Sequence, residues 1–310
     1  MAAAKPNVLF VICDDLGFGD LACHGNPIVR TPHLDALHAD CRRFTRYRSG
    51  PLCTPARAEV MTGKYHQRTG ANDTSLGRSD LRPGHRTLAD HLSAAGYRTG
   101  CFGKWHLGDH AGCRPHERGF DVAVWHPSGG LGQPGDVPGN TYFDPQLLAP
   151  DTPRRCPGYC TDAITDAALE FIAEKSPDRP WFAYVGFNAP HTPLEIPDAW
   201  ADRYRSSDLP EPFARLYAMI ENIDANVGRL VDHLRTAGTL DDTLVVFTSD
   251  HGLQFTPDMA EQRFNAGLRA SKGTMYEGGL RVPCLARLPS AGWVGGVDDE
   301  RVATPIDWLP

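Results

Sequence analysis

The chain has 310 residues, of which 41% are hydrophobic and 22% are charged. This composition excludes disordered and fibrous proteins, and it indicates a globular protein whose core is large enough to be stable without disulfides. With 31 Lys and Arg against 38 Asp and Glu, the formal net charge is -7, which argues against a general affinity for nucleic acid or acidic membranes. The expected partner is a small molecule.

The apolar runs, the amino-terminal residues and the cysteines indicate the cellular compartment. No apolar run reaches the length of about 18 residues that a membrane span requires. The first six residues carry one charge, Lys5, and lead into an apolar segment without the pattern of an export signal. The nine cysteines are scattered without CxxC pairs, which is typical of a reducing compartment. We therefore expect no membrane span and a cytoplasmic location.

Apolar patterning predicts strands that alternate with helices. In chain order, the pattern predicts a strand at 8–13, helices at 88–95 and 164–172, a strand at 181–187, a helix at 216–234, and strands at 243–249 and 282–286. Such an order indicates an α/β fold around a largely parallel sheet. In these sheets, ligands bind beyond the carboxyl ends of the strands.

Residues 126–160 differ from the rest of the chain. They contain seven Pro and six Gly and have no periodic apolar pattern. A segment of this kind is either a surface excursion or a lid that faces the substrate. Because no repeat, charged block or linker divides the chain, we expect a single domain over residues 1–310.

The most specific local motif is Cys53-Thr54-Pro55-Ala56-Arg57. A short helical pattern follows at residues 58–64, so Cys53 is expected at a helix amino terminus, where the helix dipole and Arg57 favour an anionic or electron-rich group. The alternative is a small buried cysteine without a chemical role. The neighbouring Pro55 and Arg57 argue against that alternative.

Acidic residues follow two predicted strands. Asp14 and Asp15 follow the first strand, and Asp250 with His251 follows the strand at 243–249, so both pairs are expected at one sheet edge. Taken alone, an Asp pair after a strand is more often a turn or a helix cap. Three carboxylates in one place require a cation. Flexible oxygen ligation favours Ca2+ over Mg2+ or another divalent ion, although an imidazole ligand weakens that preference.

These features together resemble the sulfatase family, within the alkaline-phosphatase-like superfamily. The family signature is Cys-x-Pro-x-Arg followed by a Thr-Gly-Lys/Arg step, which residues 53–64 match. Further matching blocks occur in family order: Pro6-Asn7-Val8, Asp14-Asp15-Leu16-Gly17, Gly103-Lys104-Trp105-His106, Ala189-Pro190-His191-Thr192-Pro193, Ser249-Asp250-His251-Gly252, Lys272-Gly273-Thr274 and Tyr276-Glu277-Gly278-Gly279.

The resemblance implies an alkaline-phosphatase-like fold, with a largely parallel mixed sheet flanked by helices. The last residues, 304–310, resemble a segment after which family members usually continue into a smaller carboxy-terminal subdomain. We therefore expect residues 1–310 to form the main catalytic domain, with that subdomain missing.

The resemblance also implies a metal site and a modified nucleophile. The ligands are Asp14, Asp15, Cys53, Asp250 and His251, and the ion is Ca2+. A formylglycine-generating enzyme or an anaerobic maturase converts Cys53 to formylglycine, whose hydrate has two hydroxyls. One hydroxyl attacks sulfur with Asp250 as base, expels the alcohol and leaves a sulfated enzyme. Deprotonation of the other then releases sulfate and restores the aldehyde.

The remaining roles implied by the resemblance belong to residues around the sulfuryl group. Arg57 holds the hydrate, Lys104 bridges the hydrate and the sulfate, and His106 takes the proton of the second hydroxyl. His191 and Lys272 contact the ester and protonate the leaving oxygen. Fixed cations of this kind stabilise the charge of the group in transit.

Three functions from different classes are compatible with the sequence. The first is a sulfuric ester hydrolase that acts on a small-molecule or glycan sulfate ester, such as an aryl sulfate or a sulfated sugar. The second is a phosphonate or phosphate diester hydrolase of the same superfamily. The third is a non-catalytic protein or immature fragment that keeps the fold without a working nucleophile.

Overall fold

The computed structural model describes residues 5–75, 79–174, 179–205, 209–254 and 263–309. Within these ranges, one sheet contains the strands β1 (Asn7–Cys13), β2 (Arg42–Tyr47), β3 (Arg98–Lys104), β4 (Val122–His126), β5 (Gln146–Leu148), β6 (Pro153–Arg155), β7 (Trp181–Gly186), β8 (Thr243–Ser249), β9 (Cys284–Arg287) and β10 (Val297–Ala303). The helices are α1 (Pro32–Ala39), α2 (Cys53–Thr62), α3 (Leu88–Ala94), α4 (Cys160–Ala173), α5 (Asp198–Arg205), α6 (Glu211–Thr236) and α7 (Glu277–Leu280).

The sheet is mixed, with a parallel centre. Its order is β10-β2-β9-β8-β1-β7-β3-β4-β5-β6. The five strands from β8 to β4 are parallel to one another, and β10 is parallel to β2. Strand β9 runs antiparallel to both of its neighbours, and β5 and β6 are antiparallel at the other edge. This topology confirms the α/β fold class expected from the sequence.

Helices bury both faces of the sheet. On β1, Leu9 and Val11 pack in a core with α4 and α6, whereas Phe10 and Ile12 pack in a second core with α2 and α3. A strand that is buried on both faces appears in the sequence as a continuous apolar run. The apolar stripe predicted on α6 is buried against the first core: Leu216, Ile220, Ile223, Val227, Leu230 and Leu234.

The predicted helices and strands coincide with observed ones, except that one strand begins later than predicted. Several observed elements were not predicted. The predicted helices lie on α3, α4 and α6, and three predicted strands lie on β1, β7 and β8. The strand expected at 282–286 begins instead at Cys284, because Pro283 has no N–H to donate to a ladder. The other strands and helices were not predicted, apart from the short helix after Cys53.

Two further findings on the described residues concern membrane spans and disulfides. None of their helices is both long and apolar enough to cross a bilayer. The nine cysteines all lie in described ranges, and none of them forms a disulfide. Stability therefore depends on packing of the two cores, as the chain length suggested.

Candidate active site

The carboxyl ends of the central strands gather the predicted site residues at one edge of the sheet. Asp14 and Asp15 follow β1, and Asp250 with His251 follows β8, the parallel neighbour of β1. Lys104 is the last residue of β3. The two acidic pairs, expected together from their positions after strands, are together.

Cys53 lies among the candidate metal ligands. It is the first residue of α2 and only 2% exposed. Its Sγ is 3.3 Å from Asp14 Oδ1 and 3.1 Å from His251 Nε2. Asp14, Asp15, Cys53 and His251 each offer one ligand atom, and these four atoms lie within 4.8 Å of one another. Asp250 Oδ1 is 3.2 Å from His251 Nε2, so all five predicted ligands adjoin one point.

The donor set fits a divalent cation. Asp15 Oδ2 is buried and has no hydrogen-bond partner. His251 Nδ1 is 3.0 Å from the carbonyl oxygen of Gly252, and a proton on Nδ1 leaves the Nε2 lone pair free to bind a metal. Burial would lower the pKa of His251, but Asp250, Cys53 and Asp15 raise it to about 9. The cluster therefore attracts positive charge strongly.

Protein cations surround the same cluster. Each carboxylate forms an ion pair; the pairs are Lys104–Asp14, Lys272–Asp15 and Arg57–Asp250. The side chains of Lys104 and Arg57 are fully buried. Burial would raise the pKa of Asp14, but Lys104, His191 and Lys272 hold it well below its ordinary value. The Asp14 carboxylate is thus ionised, and a neighbouring anion would find fixed positive charges already in place.

Two histidines flank the cluster. His106 is 6% exposed, and burial together with Lys104 and Arg57 holds its pKa well below the ordinary value. Its ring is therefore neutral at pH 7 and able to accept a proton. His191 lies on the loop after β7, with Nε2 at 3.8 Å from Asp15 Oδ2.

A cavity of about 300 Å³ opens onto Cys53. Polar side chains form much of its wall: Thr74, Ser79, His106, Asp109, Ser128, Gln133, His191 and Lys272. Part of the 126–160 segment thus faces the site, as a substrate-facing segment would, whereas β5 and β6 form the sheet edge.

Comparison with known proteins identifies the family. The family model described as Sulfatase matches residues 6–310. The chain belongs to the sulfatase family.

Relatives and solved structures extend this assignment. Human arylsulfatase A is 33% identical, over 99% of this chain and 63% of its own length, and mouse arylsulfatase J is 32% identical, over 99% and 52%. The crystal structure of Ps i-CgsB is 28% identical with a TM-score of 0.89, covering 99% of this chain and 71% of that one. The same protein has been solved in complex with k-i-k-neocarrahexaose. The chain therefore spans about half to two thirds of these curated relatives.

Sequence reasoning missed part of the wall of this sulfatase-family site. Ser128 has a left-handed backbone (φ 64°), and its N–H donates to Asp109 Oδ2 at 2.8 Å. Gln133 lies against Gly129 on the same wall. The sequence signal was the Pro- and Gly-rich composition of residues 126–160, which allowed a substrate-facing segment but did not indicate which of its side chains line the site.

Proposed function

We propose that this chain hydrolyses sulfate monoesters, with Ca2+ bound at the carboxylate cluster and with Cys53 converted to formylglycine by a formylglycine-generating enzyme or an anaerobic maturase. One observation carries the proposal. Cys53 begins a helix at the point where a candidate metal cluster meets three protein cations, at the base of a cavity. Family membership supports the same assignment.

The metal ligands and the protein cations have complementary tasks. Asp14, Asp15, Asp250 and His251 would hold the ion, which supplies Lewis acidity toward the nucleophile and the sulfuryl oxygens. Lys104 and Lys272 now pair with two of these carboxylates. If these carboxylates held a divalent cation, both ammonium groups would be available to the negative oxygens of the ester. Such preorganised cations stabilise charge in the transition state.

Proton transfers fall to the side chains around residue 53. Asp250 accepts the proton of the attacking hydroxyl, and Arg57, which donates two hydrogen bonds to Asp250 Oδ2 at 2.9 and 3.0 Å, holds that carboxylate in place. His106, neutral and facing the cavity, accepts the second proton when sulfate is released. His191 protonates the leaving alcohol oxygen.

The substrate is a small-molecule or glycan sulfate ester. The named relatives are arylsulfatases, and Ps i-CgsB binds an oligosaccharide in its crystal structure. In this chain, hydroxyl, amide and carboxylate groups of Thr74, Ser79, Gln133 and Asp109 line the cavity. Groups of this kind hydrogen-bond sugar hydroxyls and fix their orientation, which supports a sulfated sugar as the natural substrate.

The test uses protein coexpressed with a formylglycine-generating enzyme. Mass spectrometry of the peptide that contains Cys53 should show the loss expected when CH2SH is replaced by CHO, and turnover of 4-nitrophenyl sulfate should increase with the modified fraction. Cys53→Ala should abolish turnover, since the side chain is a reactant. Cys156→Ala, at a half-buried cysteine outside the cavity, is the matched control and should retain turnover.

Each alternative function predicts a different outcome. Turnover of an aryl phosphonate ester without turnover of the aryl sulfate would establish a phosphonate hydrolase instead. Fully modified protein without turnover of either ester would identify a non-catalytic member of the family. Wild-type rates in Cys53→Ala would exclude residue 53 as the nucleophile.

A further inference from the structure

A buried ion pair lies behind the candidate metal cluster. Arg263 is 6% exposed and Asp20 is fully buried. Arg263 Nε donates to Asp20 Oδ1 at 3.2 Å, and Nη2 donates to Oδ2, so the guanidinium fork engages both carboxylate oxygens. Neither residue lines the cavity. A bidentate pair of this kind fixes orientation as well as charge.

The remaining hydrogen bonds of Arg263 reach both segments that carry metal ligands. Nη2 donates to the carbonyl oxygen of Asp15 at 3.2 Å. Nη1 donates to the carbonyl oxygen of Gln254 at 2.9 Å, on the segment that contains Asp250 and His251. One planar group therefore connects the turn after β1 to the turn after β8.

The turn after β1 needs such support. Asp15 has a left-handed backbone (φ 67°), which is uncommon for a residue other than glycine and persists only when its surroundings hold it. Asp20 Oδ2 accepts a hydrogen bond from the N–H of Gly17 at 2.7 Å and so closes the same turn. Lys272 binds the Asp15 carboxylate, whereas Arg263 holds its backbone.

We propose that Arg263, oriented by Asp20, is a positioning residue that fixes the spacing between the Asp14–Asp15 and Asp250–His251 pairs and thereby sets the affinity for the divalent cation. The inference rests on the metal site of the proposed function. Neither side chain is among the candidate metal ligands or lines the cavity, so each acts through the backbone of the ligand segments. Groups that orient metal ligands typically change metal affinity by about 10–100-fold when they are replaced.

The test measures Ca2+ affinity directly, by competition between the full chain and a chromophoric chelator. Arg263→Lys keeps the charge but loses the fork, and Asp20→Asn keeps the shape but loses the charge. Each should raise the Ca2+ dissociation constant about 10–100-fold. The Ca2+ concentration that gives half-maximal hydrolysis of 4-nitrophenyl sulfate should rise by the same factor. The double variant should lose little more than either single variant, because both changes remove the same contact.

A matched control separates this role from a general effect on folding. Arg229→Lys alters a second Arg–Asp pair, Arg229–Asp166, whose side chains are 43% and 54% exposed on α6 and α4, and it should leave Ca2+ affinity unchanged. Circular dichroism establishes that each variant is folded before titration.

The outcomes distinguish the inference from the function on which it rests. Wild-type Ca2+ affinity in both Arg263→Lys and Asp20→Asn, even with a lower melting temperature, would show that the pair is merely structural and overturn the inference alone. Absence of Ca2+ binding by the wild-type protein would overturn the proposed metal site, and the inference with it.

Discussion

The absence of a side chain on Gly129 leaves room for the imidazole of His106. A Cβ on Gly129 would lie 2.8 Å from His106 Cε1 and 2.9 Å from Gln133 Oε1, closer than real Cβ contacts allow. A Cβ at this position would therefore displace one or both of these side chains of the cavity wall. Because His106 is the proposed acceptor of the second proton, its ring position affects turnover directly.

Gly129→Ala should therefore lower kcat for 4-nitrophenyl sulfate by about 100-fold, since a displacement of the order of 1 Å can cost that much. Gly139→Ala is the control. It lies in the same segment at φ 75°, with open space around it, so it strains the backbone without contacting His106. Equal losses of kcat in both variants would mean that the segment, and not the ring position, governs turnover.

The segment that carries Gly129 also holds the loop of His191. The Tyr142 hydroxyl donates to the carbonyl oxygens of His191 at 2.9 Å and Thr192 at 3.2 Å. The Tyr159 hydroxyl donates to the carbonyl oxygen of Glu195 at 2.8 Å. Two tyrosines, on either side of the β5 and β6 hairpin, thus connect this segment to the loop of the proposed proton donor.

Tyr142→Phe tests this connection. The ring stays packed, but the His191 carbonyl loses its donor and the Thr192 carbonyl keeps only His191 Nδ1, at 2.6 Å. The expected cost is about 1 kcal/mol in the free energy of unfolding. If His191 protonates the leaving oxygen, kcat/KM should fall more for an alkyl sulfate, whose alkoxide leaves poorly, than for 4-nitrophenyl sulfate. The acceptor of the Tyr159 hydroxyl, Glu195, lies four residues after His191. Tyr159→Phe should therefore change the ratio of the two kcat/KM values, alkyl sulfate to 4-nitrophenyl sulfate, less than Tyr142→Phe does. Equal losses for both substrates would assign Tyr142 to stability alone.

At the scale of the elements, burial and glycine content decide whether a strand can be predicted from the sequence. β1, β7 and β8 are buried on both faces, so they appear as apolar runs. β3 does not, because Gly100 and Gly103 replace side chains where a Cβ would meet the Phe102 ring and the carbonyl oxygen of Gly186. Lys104, at the end of that strand, was identified through the family blocks and not through periodicity.

The residues of the candidate site likewise fall into those that the sequence predicts and those that it does not. Residues directly after predicted strands, such as Asp14 and Asp250, could be placed together from topology alone. The wall residues Asp109, Ser128 and Gln133 could not, because they lie in irregular segments whose course depends on tertiary contacts. Arg263 likewise has no sequence signal, since its partners Asp20 and Asp15 lie more than 240 residues away.

At the scale of the whole molecule, one buried histidine makes the folding stability depend on pH. His126, at the end of β4, is fully buried. Burial, opposed by a hydrogen bond to the Pro127 carbonyl and reinforced by Lys104 and Arg57, lowers the pKa of His126 to about 3. In the unfolded chain, its ordinary value is about 6.5.

Between pH 6.5 and 3, the unfolded chain therefore binds a proton at this position and the folded chain does not. Folding stability must fall as the pH is lowered through that window, by roughly 1.4 kcal/mol per pH unit from this group alone, and it recovers above pH 6.5. Urea unfolding from pH 7 to pH 4.5 should show this slope, and His126→Gln should reduce it. His91→Gln, at an exposed histidine on α3, should not. An unchanged slope in His126→Gln would mean that His126 takes up its proton in the folded protein as readily as in the unfolded chain, and that burial does not lower its pKa.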